Sequence, residues 1–245
     1  MNVFRETAAS TLALGLTIFV VVVLPIYGHR RYLQLMAVPR LSHRTRARYI
    51  LRRNLNWLII CLLIGGWLLL DPRFVLSDIG FSAALAPTFF LVAVTAGAVV
   101  GVALAVMTVR RRGHDLIARR PDRLLILQSS KDLPVVLSLV LTAGVAEELF
   151  YRGFLIALFA GLLDLPTWTA VAISSIAFAF AHLYQGVQGM LRTGVIGVVL
   201  AIIYLSSGSL FVPIVLHLWL DLMSLVVVPW LVLRSSRRTT PMPIS

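Results

Sequence analysis

Long runs of apolar residues, separated by short polar or basic stretches, dominate the chain. About 20 consecutive apolar residues cross the hydrocarbon core of a bilayer as an α-helix, so each long run predicts one span. The pattern predicts an all-α fold, a polytopic bundle of about seven transmembrane helices. The predicted spans cover residues 8–27, 55–70, 84–109, 133–158, 168–184, 191–205 and 210–233.

The composition agrees with a multi-pass integral membrane protein. Of the 245 residues, 59% are hydrophobic and 13% are charged, whereas soluble domains carry about 25% charged residues. Polar groups inside the predicted spans divide the chain into three regions. Residues 1–132 form an N-terminal three-span region with basic loops, residues 133–233 form a four-span core, and residues 234–245 form a tail that we expect to be disordered.

The net charge of +12 comes from clusters of basic residues beside the predicted spans. Eight arginines lie between the first two spans, six more and Lys131 between the third and fourth, and three in the tail. With seven spans, all three clusters fall on one side of the membrane. The positive-inside rule then predicts a cytoplasmic C-terminus and an external N-terminus. The expected location is the plasma membrane of a prokaryote, which the charge pattern itself does not decide. The arginines therefore indicate topology rather than nucleic-acid binding, and residues 42–54 are expected to contact anionic lipids.

Six polar side chains lie inside predicted spans of the core and are the candidate catalytic residues: Glu147, Glu148, Arg152, His182, His217 and Asp221. One charge at the centre of a span costs about 2.5–3.5 kcal/mol on insertion scales, so four unpaired charges would cost on the order of 10 kcal/mol. A typical fold has about that much stability in total. These groups are therefore expected to face one another or a hydrated cavity.

Helical spacing predicts which of these groups pair. Glu148 and Arg152 are four residues apart with the acid first, which places them on one helix face. Glu147 lies about 100° around the same helix, so its carboxylate cannot share Arg152 equally and is left free to titrate as a general base. His217 and Asp221 are also four residues apart and share a face.

Three motifs in this order resemble the CPBP family of intramembrane glutamic endopeptidases, which includes type II CAAX prenyl endopeptidases and bacterial Abi-type proteins. The motifs are Glu-Glu-x-x-x-Arg at 147–152, Phe-x-x-x-His at 178–182 and His-x-x-x-Asp at 217–221. The resemblance covers about residues 133–230. It implies hydrolysis of a peptide bond in a membrane-associated or lipidated peptide or protein, in a cavity among the last four helices that opens laterally or toward the cytoplasm.

The resemblance also implies a role for each motif residue. Glu147, assisted by His182, would activate a water molecule, and Glu148 would be held by Arg152. His217 and the residue at position 221 would face the developing oxyanion. Many family members have asparagine where this chain has Asp221, and an aspartate donates a hydrogen bond only when protonated. Asp221 could instead orient His217, as carboxylates commonly orient imidazoles.

Other readings of the same residues stay open. No cofactor is required by the glutamate mechanism, but Glu147, His182 and His217 could also bind zinc, since carboxylate and imidazole are both zinc ligands. The His-Glu-x-x-His pattern of zinc peptidases is absent from the sequence. A non-catalytic membrane scaffold or an immunity or regulatory protein is the main alternative function. A proton-coupled transporter also uses intramembrane Glu and His, but the sequence has no inverted repeats. The motifs name no substrate-binding residue.

Overall fold

A computed structural model describes residues 2–39, 41–82, 95, 97–99, 101–103, 106–107 and 120–239. Within those ranges all regular structure is helical. The α-helices are α1 (Asn2–Ile18), α2 (Leu24–Met36), α3 (His43–Leu70), α4 (Leu133–Glu148), α5 (Thr167–Ala181), α6 (Gly186–Ser207), α7 (Phe211–Asp221) and α8 (Val228–Thr239). Wider π-helical segments continue several of them: Phe19–Val23 joins α1 to α2, Leu149–Leu155 and Leu158–Leu162 follow α4, and Leu222–Val227 joins α7 to α8.

In the described part of the chain, five helical stretches are long and apolar enough to cross a membrane. They are Glu6–Met36, His43–Leu70, Ser130–Leu162, Leu183–Ser207 and Phe211–Arg234, and they match the first, second, fourth, sixth and seventh predicted spans. The shorter apolar helix Thr167–Ala181 matches the fifth. The predicted third span lies mostly outside the described residues, as do residues 110–119 and 240–245. The polytopic all-α bundle is confirmed, but the count of about seven spans is not.

The arginines between the first two predicted spans lie mostly on helices rather than in a loop. Helix α3 begins at His43, twelve residues before the predicted second span, with Ser42 Oγ accepting a hydrogen bond from the Thr45 amide at 3.2 Å. Hydropathy alone ends a span at the first arginines. Arginine is nevertheless a good helix former, and its long side chain carries the charge away from the apolar stem, so the helix continues through them.

Contacts between α2, α3 and the chain before α4 bring the two basic regions together at one end of the bundle. Buried Arg46 forms an ion pair with buried Asp132, and Asp132 Oδ1 also lies 2.6 Å from His43 Nδ1. The Tyr32 hydroxyl donates to the Pro121 carbonyl, and Arg123 Nη2 donates to the Met36 carbonyl at 3.2 Å. The topology prediction requires the basic clusters to lie on one side of the membrane, and the described basic residues of these two regions lie at one end of the bundle.

An aromatic cluster fixes the π-helical segment that follows α4. Trp67 of α3 meets Phe154 edge to face, with ring centroids 4.9 Å apart. On the other side, Tyr151 packs against Phe178 of α5 at 5.1 Å, and Ser174 Oγ donates to the Tyr151 carbonyl at 2.5 Å. The segment carrying Arg152 is thereby held between α3 and α5.

Close packing of α4 on α7 depends on Gly144. A Cβ atom at position 144 would lie 2.6 Å from Leu218 Cδ2 and 3.3 Å from the Leu218 amide nitrogen. We expect Gly144→Ala to lower the free energy of unfolding by about 1–3 kcal/mol, because α7 must move away. Thermal unfolding in detergent measures this effect. Gly65→Ala on α3, where nothing lies within 4 Å, is the matched control, and equal behaviour of the two variants would contradict the packing argument.

Asp71 ends α3 at the opposite end of the bundle and is fully buried. Arg73 donates to its carboxylate from Nε and Nη2, both at 2.7 Å, and these hydrogen bonds hold the pKa of Asp71 below its usual value. A carboxyl group whose pKa is lower in the folded state stabilises the fold at pH values above its unfolded-state pKa of about 3.9. This stabilisation is lost as the pH falls through the folded-state pKa.

We therefore expect Asp71→Asn to reduce the free energy of unfolding at pH 7 by about 1 kcal/mol, a modest value because solvent screens the partly exposed Arg73. The difference from the wild type should shrink as the pH is lowered from 5 to 3. Thermal unfolding across this range, with Asp164→Asn in an exposed turn as control, measures it. A difference that did not change with pH would contradict the ion-pair explanation.

Candidate active site

The fold brings all six candidate residues together from three helical stretches. Glu147 and Glu148 are the last residues of α4, and Arg152 lies in the π-helical segment that follows. His182 comes directly after α5, and His217 and Asp221 lie one turn apart on α7. π-Helical segments are frequent at functional sites, and here one begins directly after the paired glutamates and another directly after Asp221.

Glu148 connects α4 to α7. Its Oε1 accepts a hydrogen bond from Arg152 Nη1 at 2.8 Å, as the four-residue spacing predicts, and contacts His217 Nδ1 at 2.6 Å. Glu148 and Arg152 are both buried, and so is His217. Because an ionised carboxylate only accepts hydrogen bonds, His217 Nδ1 carries the hydrogen. The imidazole is thereby oriented with Nε2 on the side of Glu147.

Arg152 is held by two further contacts. Its Nη2 donates to the Gly197 carbonyl of α6 at 3.1 Å. Its guanidinium carbon lies 4.3 Å from the centroid of the Phe178 ring, which is within the range of cation–π attraction. Arg152 therefore connects α6 and α5 to the glutamate pair, and its charge is balanced by Glu148.

Glu147 has no such partner. Its Oε2 is buried and makes no hydrogen bond with any described residue. His182 Nε2 and His217 Nε2 each lie 4.0 Å from this oxygen. Because His182 Nδ1 donates to the Phe178 carbonyl at 2.9 Å, its Nε2 holds a lone pair in the neutral ring. A separation of 4.0 Å is too long for a hydrogen bond but suits a bridging water.

Asp221 lies near the same ring nitrogen of His217 as Glu147 does. Its Oδ2 is 3.7 Å from His217 Nε2, and 26% of its side chain is exposed, against 8% for His217. The position that orients the imidazole, the contact to Nδ1, belongs to Glu148. Both roles that the sequence leaves open for Asp221, facing the oxyanion or orienting His217, stay predictions, since its carboxylate lies near Nε2 of the same ring.

A cavity of about 250 Å³ leads from Glu147 and His182 to the basic end of the bundle. Its walls come from α2 and α3 as well as from the core, and they include Trp57 of α3 and Tyr151 after α4. The expectation of a cavity confined to the last four helices is therefore wrong. In the sequence, the polar motif residues identify only the core as part of the site. The apolar and basic residues that the N-terminal region adds to the cavity wall look like ordinary residues of membrane spans and basic loops, so the sequence does not reveal their role.

No group of three His, Cys, Asp or Glu side chains among the described residues has the geometry to hold a metal ion. Tetrahedral zinc with bonds of about 2.0–2.1 Å places two donor atoms about 3.4 Å apart. Both imidazole nitrogens are 4.0 Å from Glu147 Oε2. The zinc reading of Glu147, His182 and His217 remains an alternative hypothesis that chelation tests.

Sequence reasoning did not identify two contributors to the site. Gly197 supplies a carbonyl to Arg152, and a Cβ atom at that position would lie 3.1 Å from Phe178 Cδ1. Arg53 of α3 lines the same cavity as Glu147. A glycine within an apolar span and an arginine within a basic cluster carry no chemical signal of their own, so only the fold reveals them.

Comparison with known proteins supports the resemblance of the core. Residues 129–223 match the family model described as type II CAAX prenyl endopeptidase Rce1-like. A protein of Escherichia coli described as an uncharacterized 24.3 kDa protein is 28% identical over 97 residues, which are 38% of this chain and 45% of that protein. No solved structure matches. The matched segment is less than half of this chain but includes all six candidate residues, so the core is similar to the Rce1-like type II CAAX prenyl endopeptidases.

Proposed function

We propose that this integral membrane protein is an intramembrane endopeptidase that uses Glu147 to activate water against a peptide bond. The observation that carries the proposal is the position of Glu147 Oε2. This oxygen is buried, lacks a hydrogen-bond partner among the described residues, faces two imidazoles at 4.0 Å and borders a cavity. A general base needs such access to the proton that it removes.

Glu147 and His182 together suit a single water molecule. Both the carboxylate oxygen and the Nε2 lone pair of His182 accept hydrogen bonds, so one water can donate to both and direct its own lone pair into the cavity. In the proposed step, the water oxygen bonds to the scissile carbonyl carbon while its proton passes to Glu147. The carbonyl oxygen becomes an oxyanion, and collapse of the tetrahedral intermediate breaks the C–N bond. Glu147 then returns the proton to the leaving amine.

His217 is proposed to stabilise the oxyanion. In its imidazolium form it donates through Nε2, and Glu148 at Nδ1 stabilises that form and fixes the orientation of the ring. A single preorganised donor of this kind contributes about 2.7–4 kcal/mol in acyl transfer. Asp221, 3.7 Å from the same nitrogen, can join as a donor only when protonated. Arg152 neutralises Glu148 and does not contact the reacting atoms.

The proposed substrate is a membrane-associated or lipidated peptide or protein. We also propose that the arginine-bearing end of the bundle faces the cytoplasm of a prokaryotic cell, so that substrate enters from that side, and that residues 42–54 contact anionic lipids.

Single cysteines introduced by Arg44→Cys and Asp164→Cys into a Cys61→Ser background test the orientation. A membrane-impermeant thiol reagent applied to intact cells should label only position 164, and labelling of position 44 instead would reverse the topology.

The peptidase proposal is tested on purified protein in detergent with a library of lipid-anchored peptides, read by mass spectrometry. Each reaction is repeated with a zinc chelator and with hydroxylamine. We expect cleavage at one peptide bond that the chelator does not inhibit, with no hydroxamate product, because water attacks directly and no acyl-enzyme forms. Chelator inhibition reversed by zinc would favour the metal alternative. Absence of cleavage, together with full cellular activity of Glu147→Gln, would favour the scaffold alternative.

A further inference from the structure

The cavity that reaches Glu147 carries an excess of positive charge. Its lining includes the arginines Arg31, Arg48, Arg52 and Arg53, whereas Glu147 is the acidic residue among the described lining residues. The rest of the wall is largely apolar and aromatic, with Leu24 and Trp57 as examples. Such a cavity combines an apolar surface with a strong preference for an anion.

Arg53 differs from the arginines that form ion pairs. Four arginines form ion pairs with carboxylates in the described part of the chain: Arg46 with Asp132, Arg73 with Asp71, Arg120 with Asp122 and Arg152 with Glu148. No described carboxylate lies within 4.0 Å of Arg53, and its Nε is buried without a hydrogen bond. A half-buried guanidinium with an unused donor is costly unless a ligand supplies the acceptor.

The position of Arg53 directs it toward a substrate rather than toward the reacting atoms. Its guanidinium carbon lies 5.4 Å from the centroid of the Tyr184 ring, and Tyr184 in turn packs 5.9 Å from the His182 ring. The aromatic contact helps to hold the charge in place, and a side-chain hydrogen bond to Tyr49 engages one donor, whereas the Nε donor stays unused. The planar guanidinium fork matches a carboxylate through two parallel hydrogen bonds.

We propose that Arg53 binds a carboxylate of the peptide substrate, so that the protein selects peptides bearing a carboxylate a few residues from the scissile bond. The spacing of a few residues follows because Arg53 and Glu147 line the same cavity and an extended chain spans about 3.3–3.6 Å per residue. The carboxylate can belong to an Asp or Glu side chain or to the end of the peptide chain. This inference rests on the proposed peptidase function, and Arg53 would act as a specificity-determining residue.

Peptide binding tests the inference separately from catalysis. Full-length Glu147→Gln protein in nanodiscs of phosphatidylcholine traps uncleaved, fluorescently labelled, lipid-anchored peptides, and anisotropy gives the Kd. The peptide set pairs an internal Glu with Gln at each position, and a free C-terminal carboxylate with an amide. We expect one carboxylate-bearing peptide to bind at least about tenfold more tightly than its neutral partner. Which pair shows the difference identifies the source of the carboxylate.

Adding Arg53→Gln should abolish this preference and leave binding of the neutral peptide unchanged. Arg53→Lys keeps the charge but not the fork, so it should restore only part of the preference. Arg192→Gln, which removes an exposed arginine from α6 outside the cavity lining, is the matched control and should keep it in full. Retention of the expected fold in each variant is checked by circular dichroism.

Three outcomes overturn the inference. Neutral and carboxylate peptides could bind equally, or Arg53→Gln could weaken both by the same factor, which would make Arg53 a structural residue. In a third case Arg53→Gln would reduce retention of phosphatidylglycerol in mixed nanodiscs without changing peptide selectivity, which would assign the cavity to an anionic lipid. A failure of the peptidase proposal is recognised differently, as carboxylate-selective binding by a protein that cleaves none of the bound peptides.

Discussion

Glu147→Gln is expected to lower kcat on a cleaved peptide by about 10³-fold while the protein remains folded, because positioned general bases contribute about 10²–10⁴-fold. The amide has the same shape as the carboxylate but cannot take a proton from water. Glu147 Oε2 makes no hydrogen bond with a described residue, so the substitution breaks no contact there. Removing a buried carboxylate relieves a desolvation cost but also ends its 4.0 Å approach to His182 and His217, so the free energy of unfolding should change little.

The kinetic form of the loss is as informative as its size. Glu147 acts on the water and not on the remainder of the peptide, so kcat and kcat/KM should fall together with KM little changed. Asp164→Asn makes the same change of charge in an exposed turn between α4 and α5 and should keep wild-type rates. Cleavage by Glu147→Gln at more than about a tenth of the wild-type rate would show that this carboxylate is not the base.

Contacts between site residues of the same helix can be predicted from the spacing of those residues in the sequence. Glu148 and Arg152 were expected to pair because they are one turn apart, and their 2.8 Å contact has that geometry. The same rule placed His217 and Asp221 on one face of α7, where they lie 3.7 Å apart. Helix periodicity holds whatever the tertiary structure, so such pairs can be read from the sequence.

Contacts between helices could not be read in this way. Glu148 and His217 are 69 residues apart in sequence, and no spacing rule links them. From the sequence, Arg152 is the partner predicted for Glu148, and Asp221 is predicted either to face the oxyanion or to orient His217. The packing of α4 on α7, which is close at Gly144, brings Glu148 to the Nδ1 side of the ring.

The N-terminal region shows a different limit of sequence reasoning. The sequence predicts that its arginines set the topology, and the described ones lie together at one end of the bundle, as that prediction requires. Arg53 nevertheless lines the cavity that holds Glu147. One arginine can both set the topology and line the cavity. The positive-inside rule depends on the number of charges near a membrane surface and not on what each charge contacts.

Arg152→Met is expected to lower the free energy of unfolding by about 3–5 kcal/mol, the usual cost of leaving one partner of a buried ion pair alone. Glu148 would keep its charge with His217 as its remaining partner, and the Gly197 carbonyl would lose its donor. Reversible unfolding in mixed detergent micelles measures the change. Arg192→Met on the exposed face of α6 removes the same charge and should cost less than about 0.5 kcal/mol.

The double variant Glu148→Gln/Arg152→Met separates the structural role of this pair from its catalytic one. Replacing both partners removes the unpaired charge, so most of the lost stability should return, since apolar or neutral replacements of buried ion pairs are often tolerated. Peptidase activity should stay low, because a neutral amide at position 148 no longer stabilises the imidazolium form of His217. Recovery of activity together with stability would mean that Glu148 only neutralises Arg152, and the oxyanion role of His217 would then have to depend on Asp221.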